Sequence, residues 1–467
     1  MDKIVQQIYN IVWSPALIVL LVGAGLYFTL RTRCVQVRRI GEMVRLLFRK
    51  PAGAKGDRQG ISSFQAFCIA LSGRVGTGNI VGVATAIALG GPGAVFWMWV
   101  IAFLGASTAF MESTLAQKYK FKRGSEWRGG PASYIDEGLG CRWLGILFAI
   151  FTIIGYGLLL AMVQANGVAS AFDNSFSINP LWTGIGVVVL LAVVIVGGVR
   201  RIADFASVVT PFMALGYILM SLIIIGANIK AVPAVFGMIF SSAFGFNSAF
   251  GGIIGSAISM GVKRGLFSNE AGQGGGAIVS ASANVEHPAQ QGLVQAFSVY
   301  IDTILVCTST ALIILCTGCY NIFGADGRMI ASNAPELGSN YVGFTQAAID
   351  TVFNGVGSAF VAIALAFFTF TTLIAYYFYS ESSILYIARL KGRKSKERMN
   401  ILIYRILLFA AVVYGACTQS DTIWTIGDIG LGLTTWINVI VLLILCPQAL
   451  KDLKEYEATL PRRGRRR

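Results

Sequence analysis

Long apolar stretches recur along the whole chain, and each is long enough to cross the ~30 Å hydrocarbon core of a bilayer as a helix of about 20 residues. A backbone in lipid must satisfy its own hydrogen bonds, so we expect helices. The strands of an outer-membrane barrel would be shorter and would alternate polar with apolar residues. The sequence therefore predicts an all-α polytopic membrane protein. We predict eleven spans, at residues 11–30, 62–89, 93–117, 142–172, 180–199, 205–227, 247–283, 291–318, 355–388, 401–417 and 423–446.

The composition fits this prediction. Of the 467 residues, 55% are hydrophobic and only 13% are charged, against roughly 25% charged residues in soluble domains. These proportions exclude a soluble enzyme and a disordered chain. The first apolar stretch is not typical of a cleaved signal peptide, because only Lys3 precedes it and no small-residue cleavage site ends it. We expect it to remain as a permanent helix.

The basic residues indicate the orientation of the chain. With the amino terminus outside, 31 of the 37 Lys and Arg residues fall in predicted cytoplasmic segments, as the positive-inside rule requires. The carboxyl terminus, with its basic tail at 448–467, is then cytoplasmic. We interpret the net charge of +15 as a topology signal that also favours contact with anionic lipid, and not as a nucleic-acid-binding arm.

Two of the predicted spans contain glycines, polar residues and charges at membrane depth. The second span has the sequence SGRVGTGN at 72–79, and the seventh has GVKRGLFSNEAG at 261–272. Close helix packing explains the glycines, since small residues let backbones approach. It does not explain the charged residues, which are costly in a membrane and usually mark pathways or ion pairs. We interpret both segments as interrupted helices.

The positions of the two interruptions predict an inverted repeat within a single domain, 1–467. Without the extra helix at 11–30, the chain divides into five spans at 61–227 and five at 246–447, and each set opens with an interrupted helix. Five is an odd number, so the two halves have opposite orientations and their broken helices face each other at the midplane. Free N–H groups there suit an anionic group, and free C=O groups suit a cation.

The motifs around the first interruption resemble a known family. The run GGPGAVFWMW at 90–99, continuing to Gly105, is similar to the signature of the alanine/glycine:cation symporter (sodium:alanine symporter) family. The segments GTGN at 76–79 and FSNEAG at 267–272 also resemble that family, and the similarity covers nearly the whole chain. The resemblance implies a LeuT-like fold, with alanine or glycine as substrate and sodium, in some members a proton, as coupling ion.

The predicted function is therefore that of a secondary active symporter. It would import alanine and/or glycine, driven by a sodium gradient, across a bacterial or archaeal cell (inner) membrane. The alternative is a proton-coupled transporter of another small neutral amino acid. Besides sodium and membrane lipid, we expect no cofactor, no nucleic acid and no obligate protein partner.

A small zwitterion needs hydrogen-bond donors for its carboxylate and acceptors for its ammonium group, with an apolar wall around its side chain. The resemblance implies that Gln164 in the fourth span faces the substrate, although an interhelical hydrogen bond is an equally good interpretation of that residue. One of Phe367, Phe368 and Phe370 is expected to limit the pocket, unless all three serve packing. The candidate substrate-binding residues are Thr77, Gly78, Asn79, Gln164, Phe267, Ser268 and Asn269.

A sodium site needs hard oxygen ligands. Thr371 and Thr372 are adjacent in the ninth span and resemble the hydroxyl pair of the LeuT-like ion site. Main-chain carbonyls near Ser72 and Val75 would complete the ligand set. Alternatively, each threonine hydroxyl bonds back to its own helix, as is common in membrane helices.

Charges at similar depth suggest two gates. Arg74 and Glu270 both lie just cytoplasmic of the interruptions and are predicted to form an inner pair. Lys263 and Arg264 lie on the outer side, level with Asp428 early in the last span. The alternative is that these are static pairs that only neutralise buried charge.

The sequence does not decide the roles of three further residues. Asp302, midway along the eighth span, is interpreted as a proton acceptor, a partner of Arg74 or a hydrogen-bonded structural acid. Cys316 and Cys319 form the only CxxC, and we interpret them as apolar helix residues or as an external disulfide. With one histidine in the chain, metal chemistry lacks ligands.

Other classes of membrane protein fit less well. A channel would show a filter or a charged ring, often shared among several copies. A primary pump would need a phosphate-binding loop, and no GxxxxGK[ST] motif occurs. A membrane-embedded aspartyl hydrolase would need two acids at the same depth, and the predicted spans place Asp302 and Asp428 at different depths.

Overall fold

The computed structural model describes residues 2–49, 60–124, 126–196, 198–245, 254–324, 326–391 and 394–460. The start of the seventh predicted span, part of the first basic loop and the end of the basic tail lie outside these ranges. Within them the chain is mainly helical, with two short β-hairpins.

The α-helices are, in chain order, α1 (Asp2–Val12), α2 (Pro15–Arg31), α3 (Val35–Arg38), α4 (Ile40–Leu47), α5 (Ser63–Arg74), α6 (Val83–Gly90), α7 (Gly93–Lys118), α8 (Pro131–Ser133), α9 (Arg142–Ile154), α10 (Ala161–Phe176), α11 (Pro180–Ile195), α12 (Gly198–Ala227), α13 (Val232–Ala243), α14 (Ile254–Asn269), α15 (Gly275–Ala281), α16 (Pro288–Val299), α17 (Thr308–Thr317), α18 (Tyr341–Asp350), α19 (Gly357–Lys391), α20 (Lys394–Cys417) and α21 (Ser420–Thr459). Short π-helical segments are Gly78–Gly82, Tyr134–Gly138, Gly155–Leu160 and Tyr300–Cys307, and 3₁₀ turns are Ile229–Ala231 and Pro335–Leu337. The hairpins pair β1 (Phe121–Arg123) with β2 (Glu126–Arg128), and β3 (Asn321–Phe323) with β4 (Met329–Ser332).

Membrane-spanning helices dominate the described part of the chain. Eight helical stretches there are long and apolar enough to cross a bilayer, and some of them, such as Arg142–Phe176, join two of the helices named above. The pair Ser63–Arg74 and Gly78–Gly90, bent by 53°, makes a ninth candidate. These nine correspond to nine of the eleven predicted spans. The other two predicted spans contain the shorter helix α11 and the pair α14 and α15. The structure thus supports a polytopic helical protein, while the count of eleven stays a prediction.

The first predicted span begins with a separate helix. Pro15 opens α2 and has no backbone N–H to continue a hydrogen-bond ladder, so α1 ends just before it. The indole of Trp13 donates to the carbonyl of Asp428 at 2.8 Å, and the indole of Trp436 donates to the carbonyl of Val12 at 2.9 Å. These bonds attach the junction of α1 and α2 to α21.

The two interrupted helices lie in the centre of the helical bundle. Helix α7 packs against α14, α15 and α16, whereas α5 packs against α12 and α19. Helix α10 contacts α19 and α20 on the other side. This arrangement surrounds both interruptions with protein, which non-helical backbone at membrane depth requires.

The hairpin of β1 and β2 is not evident from the sequence, because three-residue strands carry too short a pattern of alternation. It lies at the end of the bundle where the basic loops are. Arg128 on β2 is buried and donates to Glu381 on α19 at 3.0 Å and to Ser382 at 2.8 Å. The hairpin is therefore fixed to the end of α19.

Candidate functional site

The first interruption exposes two main-chain donors. Helix α5 ends at Arg74, and Val75 adopts an extended conformation with φ −78° and ψ 91°. The N–H of Gly76 donates to Asn79 Oδ1 at 2.8 Å, and the N–H of Thr77 donates to Gln164 Oε1 at 2.9 Å. Side-chain amide oxygens thus occupy the donors of the break.

Glycine is required at two positions of this segment because other groups approach its backbone closely. A Cβ on Gly76 would lie 2.7 Å from both Gln164 Oε1 and Thr372 Oγ1. A Cβ on Gly78 would lie 2.8 Å from the ring of Phe267. The two interrupted helices therefore meet in direct contact at Gly78.

The second interruption lies later than the sequence indicates. Residues 261–269 stay helical within α14, and the chain leaves the helix at Glu270. The reason is packing: a Cβ on Gly261 would lie 2.4 Å from Trp97 Cβ, so this glycine lets α14 approach α7. The non-helical turn has positive φ at Glu270 (54°), Gly272 (88°) and Gly274 (97°). The left-handed conformation is uncommon for a non-glycine residue such as Glu270.

Asp302 joins the two interrupted helices. Its carboxylate is fully buried and accepts hydrogen bonds from Asn79 Nδ2, Ser268 Oγ and Thr303 Oγ1, each at 2.7 Å. Asn79 belongs to the first interruption and Ser268 to the end of α14. Of the three interpretations of Asp302, its contacts are those of a hydrogen-bonded acid, and its side chain does not pair with Arg74.

Three of the four candidate sodium ligands lie together. Thr372 Oγ1 lies 2.8 Å from the carbonyl oxygen of Ser72 and 3.2 Å from that of Val75. Thr372 Oγ1 also lies 2.8 Å from the carbonyl of Phe368, so both threonine hydroxyls bond back to their own helix. They differ in direction: Thr371 contacts the carbonyls of Phe367 and Phe368 at 3.0 and 2.9 Å and does not face α5. Successive residues on a helix differ by about 100° in direction, so adjacent threonines do not face one ion.

The predicted substrate-binding residues divide into two groups. Gln164 faces the first interruption and contacts Thr77, and a hydroxyl that the sequence did not single out, Thr369, lies 3.2 Å from Thr77 Oγ1. Asn269 points towards α7 instead, and its Oδ1 accepts the N–H of Ala271 at 3.0 Å. Its side chain caps the second interruption and does not join the central group.

The three candidate phenylalanines of α19 do not line the centre either. Phe368 packs edge-on against Tyr217 of α12, Phe370 packs against Phe205 of the same helix, and Phe367 is exposed. The aromatic contact at the centre is instead between Phe267 and Trp424, whose ring centres lie 5.1 Å apart. Trp424 was missed because it lies near the start of α21, far along the chain.

A buried ion pair lies next to Phe267 and Trp424. Arg264 and Asp428 are in direct contact and both are buried, and the guanidinium also covers the ring of Trp424 at 5.0 Å. Lys263 is separate: its Nζ lies 2.7 Å from the hydroxyl of Tyr9 and 5.5 Å from the ring centre of Trp13. Of the two candidate outer cations, only Arg264 therefore pairs with Asp428.

Arg74 and Glu270 do not form the direct pair that their depth suggested. Arg74 Nη1 donates to Ser298 Oγ and to Gln295 Oε1, while Glu270 Oε2 accepts from Tyr379 at 3.2 Å. The start of α15 lies against both side chains. A Cβ on its second residue, Gly276, would lie 2.6 Å from Arg74 Nη2, and one on its first residue would lie 2.7 Å from Glu270 Oε2.

Three tyrosines close the site on the side of Glu270. The rings of Tyr156, Tyr376 and Tyr379 are buried and contact one another, with centres 5.1 to 5.9 Å apart. The hydroxyl of Tyr156 also donates to Gln273 at 3.0 Å. Sequence reasoning missed this cluster because tyrosines inside apolar spans look like ordinary packing residues.

On the side away from the three tyrosines, a cleft lined by Trp424 leads towards the first interruption. Its empty volume is about 410 Å³. Gly167 lines the cleft and also contacts Thr77, since a Cβ on it would lie 2.3 Å from Thr77 Cγ2. Gly167 therefore lies between the cleft and Thr77 of the first interruption.

Cys316 and Cys319 are free thiols, so the structure contains no disulfide between them. Within the described ranges, no group of three or more His, Cys, Asp or Glu side chains has the geometry to hold a metal ion. The residues that come together are thus those of the two interruptions, α10, α19 and α21.

Comparison with known proteins agrees with this architecture. A solved structure of the Eremococcus coleocola manganese transporter superimposes with a TM-score of 0.54 at 14% identity, covering 86% of this chain and 88% of that one. This likeness concerns the fold alone.

Two relatives are similar along nearly their whole length. The chain is 53% identical to the putative sodium/proton-dependent alanine carrier protein YrbD of Bacillus subtilis (strain 168), covering 98% of this chain and 93% of the relative. It is 41% identical to the probable sodium/glutamine symporter GlnT of the same organism, covering 98% and 91%. The model of the sodium:alanine symporter family matches residues 1–466. This chain is therefore a multi-pass membrane transporter, not an enzyme, and it belongs to the sodium:alanine symporter family.

Proposed function

We propose that the protein is a secondary active symporter that imports alanine and/or glycine, driven by a sodium gradient. The observation that carries this proposal is the meeting of two interrupted helices at a buried polar centre, where the main-chain donors of Gly76 and Thr77 are held only by side-chain amides. Half-helix ends with free backbone groups at the midplane are the usual binding element of secondary transporters. The alanine named for the relative YrbD supports the same substrate class.

The substrate carboxylate would replace the amide oxygens of Asn79 and Gln164 on the N–H groups of the first interruption. Main-chain carbonyls near Phe267 and Ser268 would receive the ammonium group. The contact of Gly78 with the Phe267 ring leaves little space beyond a small side chain. This closeness favours alanine or glycine over larger amino acids.

Sodium would bind between α5 and α19. The carbonyl oxygens of Ser72 and Val75 lie 2.8 and 3.2 Å from Thr372 Oγ1, and all three atoms are hard oxygen ligands. Sodium prefers such ligands. We do not include Thr371, because its hydroxyl contacts no carbonyl of α5, whereas the hydroxyl of Thr372 faces two of them in addition to Phe368 of its own helix.

Alternating access would expose this centre to one side of the membrane at a time. In this proposal the spans form two inverted five-helix repeats, 61–227 and 246–447, with the extra helix outside them. The cleft lined by Trp424 would be the outer entrance, with the Arg264–Asp428 pair at its edge as an outer gate. Arg74 and Glu270 would belong to the inner gate and would change partners when it opens.

The alternative coupling ion is a proton, acting on another small neutral amino acid. The relative YrbD is named as a sodium/proton-dependent carrier, and the relative GlnT as a glutamine symporter. Uptake into proteoliposomes separates the possibilities when radiolabelled alanine, glycine and glutamine are tested with sodium and proton gradients imposed separately. We expect alanine or glycine uptake that needs the sodium gradient. Absence of uptake of both under every gradient would overturn the proposal.

Two adjacent residues provide a matched test of the ion site. Thr372→Ala removes the hydroxyl that lies between the two carbonyls, whereas Thr371→Ala removes a neighbouring hydroxyl that bonds to its own helix. We expect the first variant to need at least tenfold more sodium for half-maximal uptake, which corresponds to about 1.4 kcal/mol. The second should resemble the wild type. Equal sodium dependence of the two variants would contradict the assignment of Thr372.

A further inference from the structure

A carboxylate that sequence reasoning did not single out lies beneath the second interruption. Glu112 is on α7, inside the predicted span 93–117, and is fully buried. Its Oε2 accepts a hydrogen bond from Asn438 Nδ2 at 3.1 Å, and its Oε1 has no hydrogen-bond partner among the described residues. Helix α7 ends six residues later, at Lys118, which places Glu112 about 9 Å along the helix axis from the basic end of the bundle.

Glu112 is coupled to the backbone of the second interruption. Asn438 Nδ2 donates not only to Glu112 but also to the carbonyl of Gly272 at 2.9 Å. Asn438 Oδ1 in turn accepts the hydroxyl of Tyr134. A movement of the turn at Gly272 would therefore change the surroundings of Glu112 directly.

The charges around Glu112 do not balance. The groups that face it are Arg74 from α5, Glu270 from the turn, and the hydroxyls of Tyr134 and Tyr156. One guanidinium thus faces two carboxylates, and Arg74 directs its hydrogen bonds to Gln295 and Ser298. An uncompensated carboxylate inside a membrane protein is costly. A bound proton removes that cost.

Asp302 differs from Glu112 in this respect. Three donors, from Asn79, Ser268 and Thr303, support its two oxygens as an anion. The main-chain N–H groups of Gly272 and Gly274 also approach Glu112, but the side-chain donor is Asn438 alone, and Oε1 is left to carry a hydrogen. Glu270 likewise has one donor, Tyr379, and an Oε1 without a partner among the described residues, but its Oε2 lies at the start of α15, where the positive end of the helix favours an anion. Of the two carboxylates that face Arg74, Glu112 is therefore the one whose surroundings better suit a protonated carboxyl group.

We propose that Glu112 holds a proton in this closed conformation and exchanges it with the cytoplasmic solution when the inner end of the bundle opens. On opening, the O–H bond of the carboxyl group breaks and the proton passes to water; on closing, a proton from water returns. This inference rests on the proposed alternating access and adds a regulator to it. High pH keeps Glu112 ionised in the open state and so opposes closure.

Infrared difference spectroscopy of the purified full-length protein tests the protonation without any transport. We expect a protonated-carboxyl band that shifts in D₂O, disappears in Glu112→Gln, and persists at a changed frequency in Glu112→Asp. Glu270→Asp is the matched control, since it keeps the second carboxylate beside Arg74, and it should leave the frequency of the band unchanged. Absence of the band in the wild type, or a frequency change in Glu270→Asp and not in Glu112→Asp, would overturn the proposal.

Alanine exchange in proteoliposomes, with equal sodium and equal pH on both sides, tests the consequence. We expect wild-type exchange to fall as pH rises, by up to about tenfold per pH unit, the limit for one proton. Exchange by Glu112→Gln should be independent of pH. An unchanged pH dependence in Glu112→Gln would contradict the role of Glu112. Lack of alanine exchange by the wild type would instead count against the proposed function and leave the infrared result to decide on the proton.

Discussion

Gly76→Ala is the substitution that most directly tests how the centre is built. The added Cβ would lie 2.7 Å from Gln164 Oε1 and 2.7 Å from Thr372 Oγ1. Neither oxygen is free to move, because Gln164 Oε1 accepts the N–H of Thr77 and Thr372 Oγ1 contacts the carbonyls of Ser72 and Val75. The methyl group must therefore displace at least one bonded partner.

The magnitude follows from those contacts. A typical hydrogen bond contributes about 0.5–1.5 kcal/mol, so the loss of one or two bonds costs roughly 0.5–3 kcal/mol, and overpacking a core usually costs about 1–3 kcal/mol. With the range of about 1–3 kcal/mol and 1.4 kcal/mol per factor of ten, we expect Gly76→Ala to weaken sodium and alanine binding by about 5- to 150-fold.

Sodium-dependent alanine uptake in proteoliposomes measures this effect, together with the melting temperature in detergent. Gly216→Ala in α12 is the control, because nothing lies within 4 Å of the Cβ it would add, and alanine is the better helix former. We expect this control to transport normally and to be at least as stable as the wild type. Unchanged half-maximal sodium and alanine concentrations in Gly76→Ala would refute the close contact on which the site is built.

Further substitutions test the other contacts. Asp428→Asn leaves the buried guanidinium of Arg264 without its partner, so its free energy of unfolding should be about 3–5 kcal/mol lower than that of the wild type. The double variant Asp428→Asn with Arg264→Met removes both charges, and its melting temperature should be higher than that of Asp428→Asn alone. Asp302→Asn removes the charge from these hydrogen bonds and replaces one acceptor oxygen by an NH₂ group, which cannot accept from Asn79 or from Ser268 and Thr303. At about 1 kcal/mol for each weakened or lost bond, uptake at normal expression should drop, and full activity would contradict the bridging role. Tyr9→Phe removes the hydroxyl that contacts Lys263 but keeps the ring, so it should lower the melting temperature less than Tyr9→Ala.

The sequence predicted the interrupted helices well in one case and less well in the other. The first break lies where glycine, polar residues and charge coincide, at Val75 and Gly76. In the second, the same composition has two causes, since Gly261 serves helix packing and Gly272 serves the turn. Composition does not distinguish a glycine that lets two helices approach from a glycine that allows a positive φ. In both cases glycine is needed for the same reason, which is that it has no side chain.

The sequence predicts how deep in the membrane a residue lies along its helix, but it does not predict which neighbouring helix the side chain faces. Thr371 and Thr372 have the same depth, yet only Thr372 faces the carbonyls of α5. Arg74 and Glu270 likewise lie at a similar depth, yet the start of α15 lies against both and each binds other partners. The correct pair, Arg264 with Asp428, could not be distinguished from Lys263 with Asp428 until the packing of α1 was known.

The peptide group between Val75 and Gly76 connects the two proposed binding sites. Its carbonyl oxygen lies 3.2 Å from Thr372, on the sodium side, and its N–H donates to Asn79 on the substrate side. A trans peptide directs these two groups in opposite directions from one plane. A cation at the carbonyl would polarise the peptide and strengthen its N–H as a donor, as in other hydrogen-bond chains. Sodium binding would then favour a carboxylate at the N–H, and the carboxylate would favour sodium by the same factor, because linkage between two binding sites is reciprocal. Symport needs such mutual dependence, and in the proposed mechanism this one peptide group would provide it.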